Sequence, residues 1–185
     1  MNIKGKKVTL RAMELSDCDM IREMFNNPDM EDLVIGWAFP ISDYYQKKWF
    51  EAHFNDNLNF RFVIETQKEG PLGIATLTDI DWKNRTAEHG IKLANKEDRS
   101  KGIGTDAVMA VMRYAFDELG LNRLNGGWFP ENRASSGLYR KCGWVEEGIR
   151  RRCVYKRGAY RDFVIAGILA EEYYALIEKN HYWDE

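Results

Sequence analysis

The chain has 185 residues, 44% hydrophobic and 30% charged, with a formal net charge of -2, which excludes a disordered chain and general electrostatic capture of nucleic acid. We expect one globular domain over residues 1–185, with no signal peptide in "MNIKGKKVTLRAME" and no apolar run approaching the ~20 residues of a membrane span. The three cysteines, Cys18, Cys142 and Cys153, form no CxxC and no Cys/His cluster, so reduced thiols, a cytoplasmic setting and no metal site are expected.

In chain order, "KKVTLRAM" reads as a first strand. "LSDCDMIREMFNN" reads as a helix capped by Ser16 and stopped by Pro28. "FPISDYYQKKWFEAHF" gives a second helix, with Ser42 or Asp43 as its cap. "FRFVIET", "LGIATLTDI" and "TAEHGIKL" alternate as strands, and their short connections predict an antiparallel meander. After the polar loop "ANKEDRSK", Ile103, Ala107, Val111, Ala115 and Leu119 recur at helical spacing, and Gly120 is a suitable C-cap. "NRLNGGWF" is a short strand, and "ENRASSGLYRKCG" a short helix capped by Asn132 and stopped by Gly143. Two strands joined at Arg157-Gly158 and a final amphipathic helix complete the chain. The order predicts an α+β, or mixed α/β layer, fold: a mostly antiparallel central sheet flanked by helices.

The stretch "RSKGIGT", Arg99 to Thr105, places two cations and two glycines at a helix start. A Walker A loop needs its lysine after the second glycine, whereas Lys101 precedes both. The dinucleotide pattern needs a strand leading straight into the glycines and an acid at the next strand's end, and neither is present. What remains is a helix N-terminus whose free amides and dipole face a diphosphate, with glycines allowing close approach. Coenzyme A suits that chemistry.

These residues resemble the GNAT superfamily of N-acetyltransferases. Arg99, Gly102 and Gly104 fill its [RQ]-x-x-G-x-[GA] motif, and Asn132, Ser135, Leu138, Tyr139, Lys141, Gly143 and Trp144 fill the next one. "VTLRAMELSD", "GIATLTDIDWKNRTAEHGI" and "GAYRDFVIAGIL" resemble the branch of ribosomal-protein N-terminal acetyltransferases (RimJ/RimL type) and their amino-sugar-modifying relatives. The resemblance implies one acetyltransferase domain and acetyl-CoA as donor, held by Arg99, Ser100, Lys101, Gly102, Ile103, Gly104 and Thr105. It also implies a strand that splays from its neighbour, setting Ile91, Lys92, Leu93 and Ala94 beside the pantetheine arm, with Leu93 and Ala94 foremost. Asn132, Ser135 and Lys141 are further candidate contacts.

Transfer to an amine needs a polarised thioester, a deprotonated amine and a stabilised leaving thiolate. Tyr139 is the candidate acid, a phenol protonated at neutral pH. Glu88 is the candidate base, with His89 or a water relay as alternatives; strand period puts Glu88 and His89 on opposite faces. Candidate acceptor contacts are Trp37, Phe39, Trp82, Tyr160 and Asp162. The basic run Arg150–Arg152 with Lys156, Arg157 and Arg161 suits either a protected edge hairpin or an acidic acceptor. The expected reaction is direct transfer in a ternary complex to a protein N-terminus, an amino sugar or a small amine. The rival readings are a non-catalytic acyl-CoA-binding or regulatory module, and a nucleic-acid binder using the arginine hairpin. Oligomeric state stays open, a homodimer included.

Overall fold

A computed structural model of the chain describes residues 1–36, 39–53, 56–95 and 101–184. Two short strands, β1 (Ile3–Lys4) and β2 (Thr9–Ala12), precede helices α1 (Cys18–Asn26), α2 (Pro28–Asp32) and α3 (Asp43–His53). The meander follows as β3 (Phe60–Thr66), β4 (Gly70–Asp81) and β5 (Thr86–Leu93). Then come α4 (Ile103–Arg113), which passes into a π-helical turn at Tyr114–Glu118, β6 (Arg123–Trp128) and α5 (Arg133–Lys141). The hairpin β7 (Val145–Lys156) and β8 (Ala159–Leu169) and a last helix, α6 (Ala170–Asn180), complete the order.

Among the described residues the strands form one sheet in the order β1-β2-β3-β4-β5-β6-β8-β7, antiparallel except between β5 and β6. Strand period two turns alternate β4 residues to opposite faces. Ala75 and Leu77 pack in the larger core with α4, whereas Ile74 packs with Ile21 and Met24 of α1. Helices therefore cover both faces. Val108, Val111 and Met112 of α4 are wholly buried, each a contribution of ~1.5–3 kcal/mol. No described helix is long and apolar enough to cross a membrane.

Two local expectations are corrected, and Pro28, which lies just past the end of α1 as expected, has a second role. Ser16 does not cap α1: it lies in a 3-10 turn, Leu15–Asp17, where the Asp17 carboxylate accepts from the Glu14 amide at 2.8 Å and pairs with Arg11 at 2.7 Å. Pro28 begins α2, where Asn27 Oδ1 accepts from the amides of Asp29 and Met30 at 2.9 and 3.3 Å. Proline suits the first helical position because that amide has no partner to lose. Residues 6–8 are not strand, because their amides turn to the carboxylate of Asp106 on α4, from Lys6, Lys7 and Val8 at 2.9, 2.6 and 2.9 Å. Other signals hold as read: Ser42 Oγ accepts from the Tyr45 amide at 3.1 Å, and Asn132 Oδ1 from that of Ser135. Gly120 and Gly143 end their helices at φ +64° and +84°.

Asp106 is 1% exposed and also accepts the Tyr182 hydroxyl at 3.0 Å, so one carboxylate joins the N-terminal loop, α4 and the C-terminal segment. Asp106→Ala leaves those donors without their acceptor and is expected to cost at least about 3 kcal/mol. Asp106→Asn should fall between that variant and the natural protein. Urea unfolding with an unchanged m value is the check; an Asp106→Ala midpoint equal to the natural one refutes the anchor.

Candidate active site

β5 and β6 run parallel but pair only at Thr86 with Arg123, Ala87 with Leu124 and Glu88 with Asn125. Beyond that point β5 continues to Leu93 and β6 to Trp128 without further pairing. The strands part around a cluster of rings. Tyr139 lies 4.7 Å from Trp144, 5.6 Å from Trp128 and 5.8 Å from His89 between ring centroids. Gly126 permits this packing: a Cβ there would sit 3.1 Å from the Trp144 ring and 3.2 Å from the His89 carbonyl oxygen.

The opening is a cleft of about 470 Å³, bounded by β5 from His89 to Leu93, by Gly127 and Trp128 of β6, and by the starts of α4 and α5. At the α4 start Gly102 holds φ +82°, a left-handed conformation that glycine adopts without penalty, and no side chain caps the helix. The first helical bond runs from the Asp106 amide to the Gly102 carbonyl at 3.0 Å, so the preceding amides have no acceptor within their own helix. Gly102, Gly104 and Thr105 line the cleft, and Lys7 Nζ approaches from behind, 2.9 Å from the Lys101 carbonyl. Uncapped amides with a nearby cation fit a diphosphate. The β5 groups turned towards the gap suit the amides of a pantetheine arm. The residues present therefore fit coenzyme A.

Of the other expected contacts, Leu93, Asn132, Ser135 and Lys141 line the cleft. Ala94 packs instead with the α1 cluster, Ile103 is 4% exposed in the core, and Lys101 pairs with Glu69 at 3.2 Å. Arg99 and Ser100 lie outside the described residues. Asn132 uses its oxygen to cap α5 and its Nδ2 to reach the Leu33 carbonyl at 3.4 Å. Lys7 was not singled out from the sequence, because it reaches this loop only through the Asp106 anchor.

Tyr139 is 4% exposed, and burial raises its pKa above the usual phenol value, so the hydroxyl keeps its proton. His89 lines the same cleft, with Nδ1 2.8 Å from the Thr76 carbonyl oxygen. That contact fixes the neutral tautomer with its proton on Nδ1. Nε2 is then an acceptor, buried and without a partner among the described residues. Burial holds the imidazole pKa down at about 4. Glu88 lies on the opposite face, at the last paired position before the strands part, and does not line the cleft. Partial burial raises its pKa, with Asp79 adding to the effect and a hydrogen bond from Asn125 opposing it. Burial pushes the Cys142 thiol up to about 12, which disfavours a thiolate nucleophile there.

A second cavity, of about 510 Å³, lies between α1, α3 and that opposite face. Phe39 lines it, and Lys92 lines both openings. The remaining acceptor candidates lie elsewhere. Trp82 is 45% exposed beyond β4, Tyr160 meets the Tyr155 ring edge-on with centroids 5.1 Å apart, and Asp162 accepts the Arg152 amide at 2.8 Å in a bulged hairpin. Trp37 lies outside the described residues. Lys156, Arg157 and Arg161 turn inward, pairing with Glu31 and Asp32 of α2, so half of the basic run docks the hairpin. Arg150, Arg151 and Arg152 are exposed on the edge strand β7.

Residues 7–145 match the family model described as an acetyltransferase (GNAT) domain. The chain is 29% identical over 169 residues to the spermidine N(1)-acetyltransferase of Vibrio cholerae serotype O1, covering 91% of this chain and 96% of that protein. It superposes with TM-score 0.85 and 28% identity on the crystal structure of spermidine N-acetyltransferase from Vibrio cholerae in complex with CoA and spermine, covering 91% and 98% of the two chains. It is 37% identical over 101 residues, 55% of each chain, to the putative ribosomal N-acetyltransferase YdaF of Bacillus subtilis. The ribosomal-type branch is thus not singled out by these likenesses.

Two outcomes follow from this geometry. A Cβ at Gly104 would meet Leu138 Cδ2 at 3.4 Å, an ordinary contact, so Gly104→Ala should fold normally yet weaken coenzyme A binding at least about tenfold, ~1.4 kcal/mol. Calorimetric titration beside thermal unfolding checks both halves, and undiminished affinity refutes the amide cradle. His89 has a folded pKa below its unfolded value of 6.5, so the unfolded chain binds more protons between pH 6.5 and about 4. The His89 contribution is present above 6.5 and is lost as pH falls through that window. His89→Gln should flatten the fall in stability there by up to one proton, measured as the pH slope of unfolding free energy.

Proposed function

The chain belongs to the GNAT acetyltransferase family as an acetyl-CoA-dependent N-acetyltransferase, and we propose that it moves the acetyl group directly to a small primary amine. The observation that carries this is the uncapped start of α4 opening on the cleft whose wall holds the protonated Tyr139. Acetyl-CoA, as the donor substrate, supplies the thioester. The amides of residues 103–105 hold the diphosphate end, and the unpaired side of β5 aligns the arm. Tyr139, protonated at neutral pH, donates its proton to the departing thiolate.

An alkyl amine with a pKa of ~10.4 arrives protonated and must lose a proton before attack. Glu88 stands at the fork of the two strands, paired with Thr78, which lines the second cavity. Its raised pKa suits a base acting through water from that face, while His89 offers Nε2 from the other. Cys142, with its thiol held protonated, supports transfer without an acetyl-enzyme. The free thiols of Cys18, Cys142 and Cys153 favour a cytoplasmic setting.

A small-molecule acceptor is favoured by the 510 Å³ cavity beside the cleft and by likeness to spermidine acetyltransferases over nine-tenths of the chain. A protein N-terminus, the acceptor of the ribosomal-type branch, is the second reading, supported by the YdaF likeness over 55% of the chain.

Initial-velocity plots of thiol release against both substrates should intersect, as a ternary complex requires; parallel lines would indicate a covalent intermediate. Tyr139→Phe should lower kcat about a hundredfold with little change in KM for acetyl-CoA, and unchanged kcat removes Tyr139 from the proton path. Glu88→Gln should remove the acidic limb of the kcat/KM profile, whose midpoint lies above the ordinary carboxylate range.

A further inference from the structure

We infer that the second cavity selects an acceptor amine carrying an aromatic or apolar body and an anionic group, and rejects polyamines. This names the substrate class for the transfer reading above and rests on it. The cavity adjoins the cleft at Lys92, which lines both. The paired positions Thr76 with Gly90 and Thr78 with Glu88 place its floor on the face that presents the amine to the fork.

The described lining is aromatic and cationic. Phe25, Tyr45 and Trp49 supply rings, Arg61 and Lys92 supply positive groups, and no Asp or Glu belongs to it. The Arg61 guanidinium lies 5.0 Å over the Trp49 ring and reaches Asp56 only at 3.9 Å. Lys92 Nζ lies 5.6 Å from the Phe25 ring, and Lys92 makes no ion pair with a described residue. Both cations thus already take ring faces that an incoming ammonium would use.

A polyamine entering here would bring several positive charges into a described lining that holds Lys92 and Arg61 and no carboxylate, with Glu88 at the fork placed to meet only one of them. Unpaired buried charge is far costlier than aromatic contact is favourable. An anionic group has the opposite effect. It supplies the counter-charge that Lys92 lacks among the described residues and offsets the burial that disfavours its ammonium form. The aromatic walls then hold an apolar body, and selectivity follows as much from rejection as from attraction.

The test is a thiol-release panel with phenylalanine and 4-(aminomethyl)benzoate, their counterparts without the carboxylate, phenethylamine and benzylamine, and spermidine. One carboxylate-bearing amine should exceed both its counterpart and spermidine in kcat/KM by about tenfold or more. Lys92→Met should bring the ratio between that amine and its counterpart to within about twofold, and Lys92→Arg should keep it. Spermidine equal or superior in the natural protein, or a ratio unmoved by Lys92→Met, overturns the inference. If no amine releases thiol, the transfer reading fails by itself, and calorimetry on the protein without coenzyme A decides the cavity. Tighter binding of a carboxylate-bearing amine than of spermidine upholds the inference; the reverse order, or no binding of either, overturns it.

Discussion

Two parallel neighbours in one sheet, β5 and β6, cease to hydrogen-bond after three residue pairs, and the site exists because they do. A strand edge left unpaired inside a protein is normally costly, since backbone groups away from water need partners. Here the separation is held by the rings of His89, Tyr139, Trp144 and Trp128, large enough to keep the backbones apart beyond the fork. Glycine at 126 and 127 lets β6 lie against those rings and against Phe163 without side chains of its own. A donor molecule with amides along its length can then complete the pairing that the strands forgo.

The same construction ties stability to function. The α4 start is useful only if it stays at the mouth of the fork, and the Asp106 carboxylate fixes it by receiving three amides from the N-terminal loop. Because those bonds draw residues 6–8 away from the sheet, Lys7 arrives behind Gly102, its Nζ donating to the Lys101 carbonyl. The ring cluster that parts the strands also contains Tyr139, the proposed acid. Its burial serves packing, and its place in the cleft wall sets the hydroxyl where a leaving thiolate would need a proton. Few side chains near the fork can change without altering both roles.

The sheet, the five helices of nine residues or more and the uncapped glycine-bearing start of α4 were legible in the sequence, because each is written locally. Gly102 and Gly104 before an apolar helical stripe, and Asn132 three residues before Ser135, act within a turn or two of themselves. Errors arose where a distant residue decides. "KKVTL" alternates like a strand, yet Asp106, far along the chain, takes its amides. Pro28 lies after one helix, as read, and also starts the next, which only the Asn27 cap reveals. Asp162 and Tyr160 looked available for recognition because a bulge cannot be read from composition; the Arg152 amide at that bulge claims the Asp162 carboxylate. The separation of Glu88 and His89 onto two faces was legible from period alone. Which face met which cavity was not.

The two halves of the site differ in what they are made of. The donor half is largely backbone: helix amides, glycines and a strand edge, features that specify a diphosphate and an amide-bearing arm but nothing about an acceptor. The proposed acceptor half is side chains from α1, α3 and the far face of the sheet, brought together only by the fold. A backbone cradle survives most substitutions around it, whereas a cavity whose charge balance turns on Lys92 and Arg61 can be redirected by one change. Likeness to spermidine acetyltransferases over most of the chain therefore speaks strongly for the donor and the reaction and weakly for the acceptor. The cations in the second cavity bear on the acceptor directly, through the charge proposed for it above.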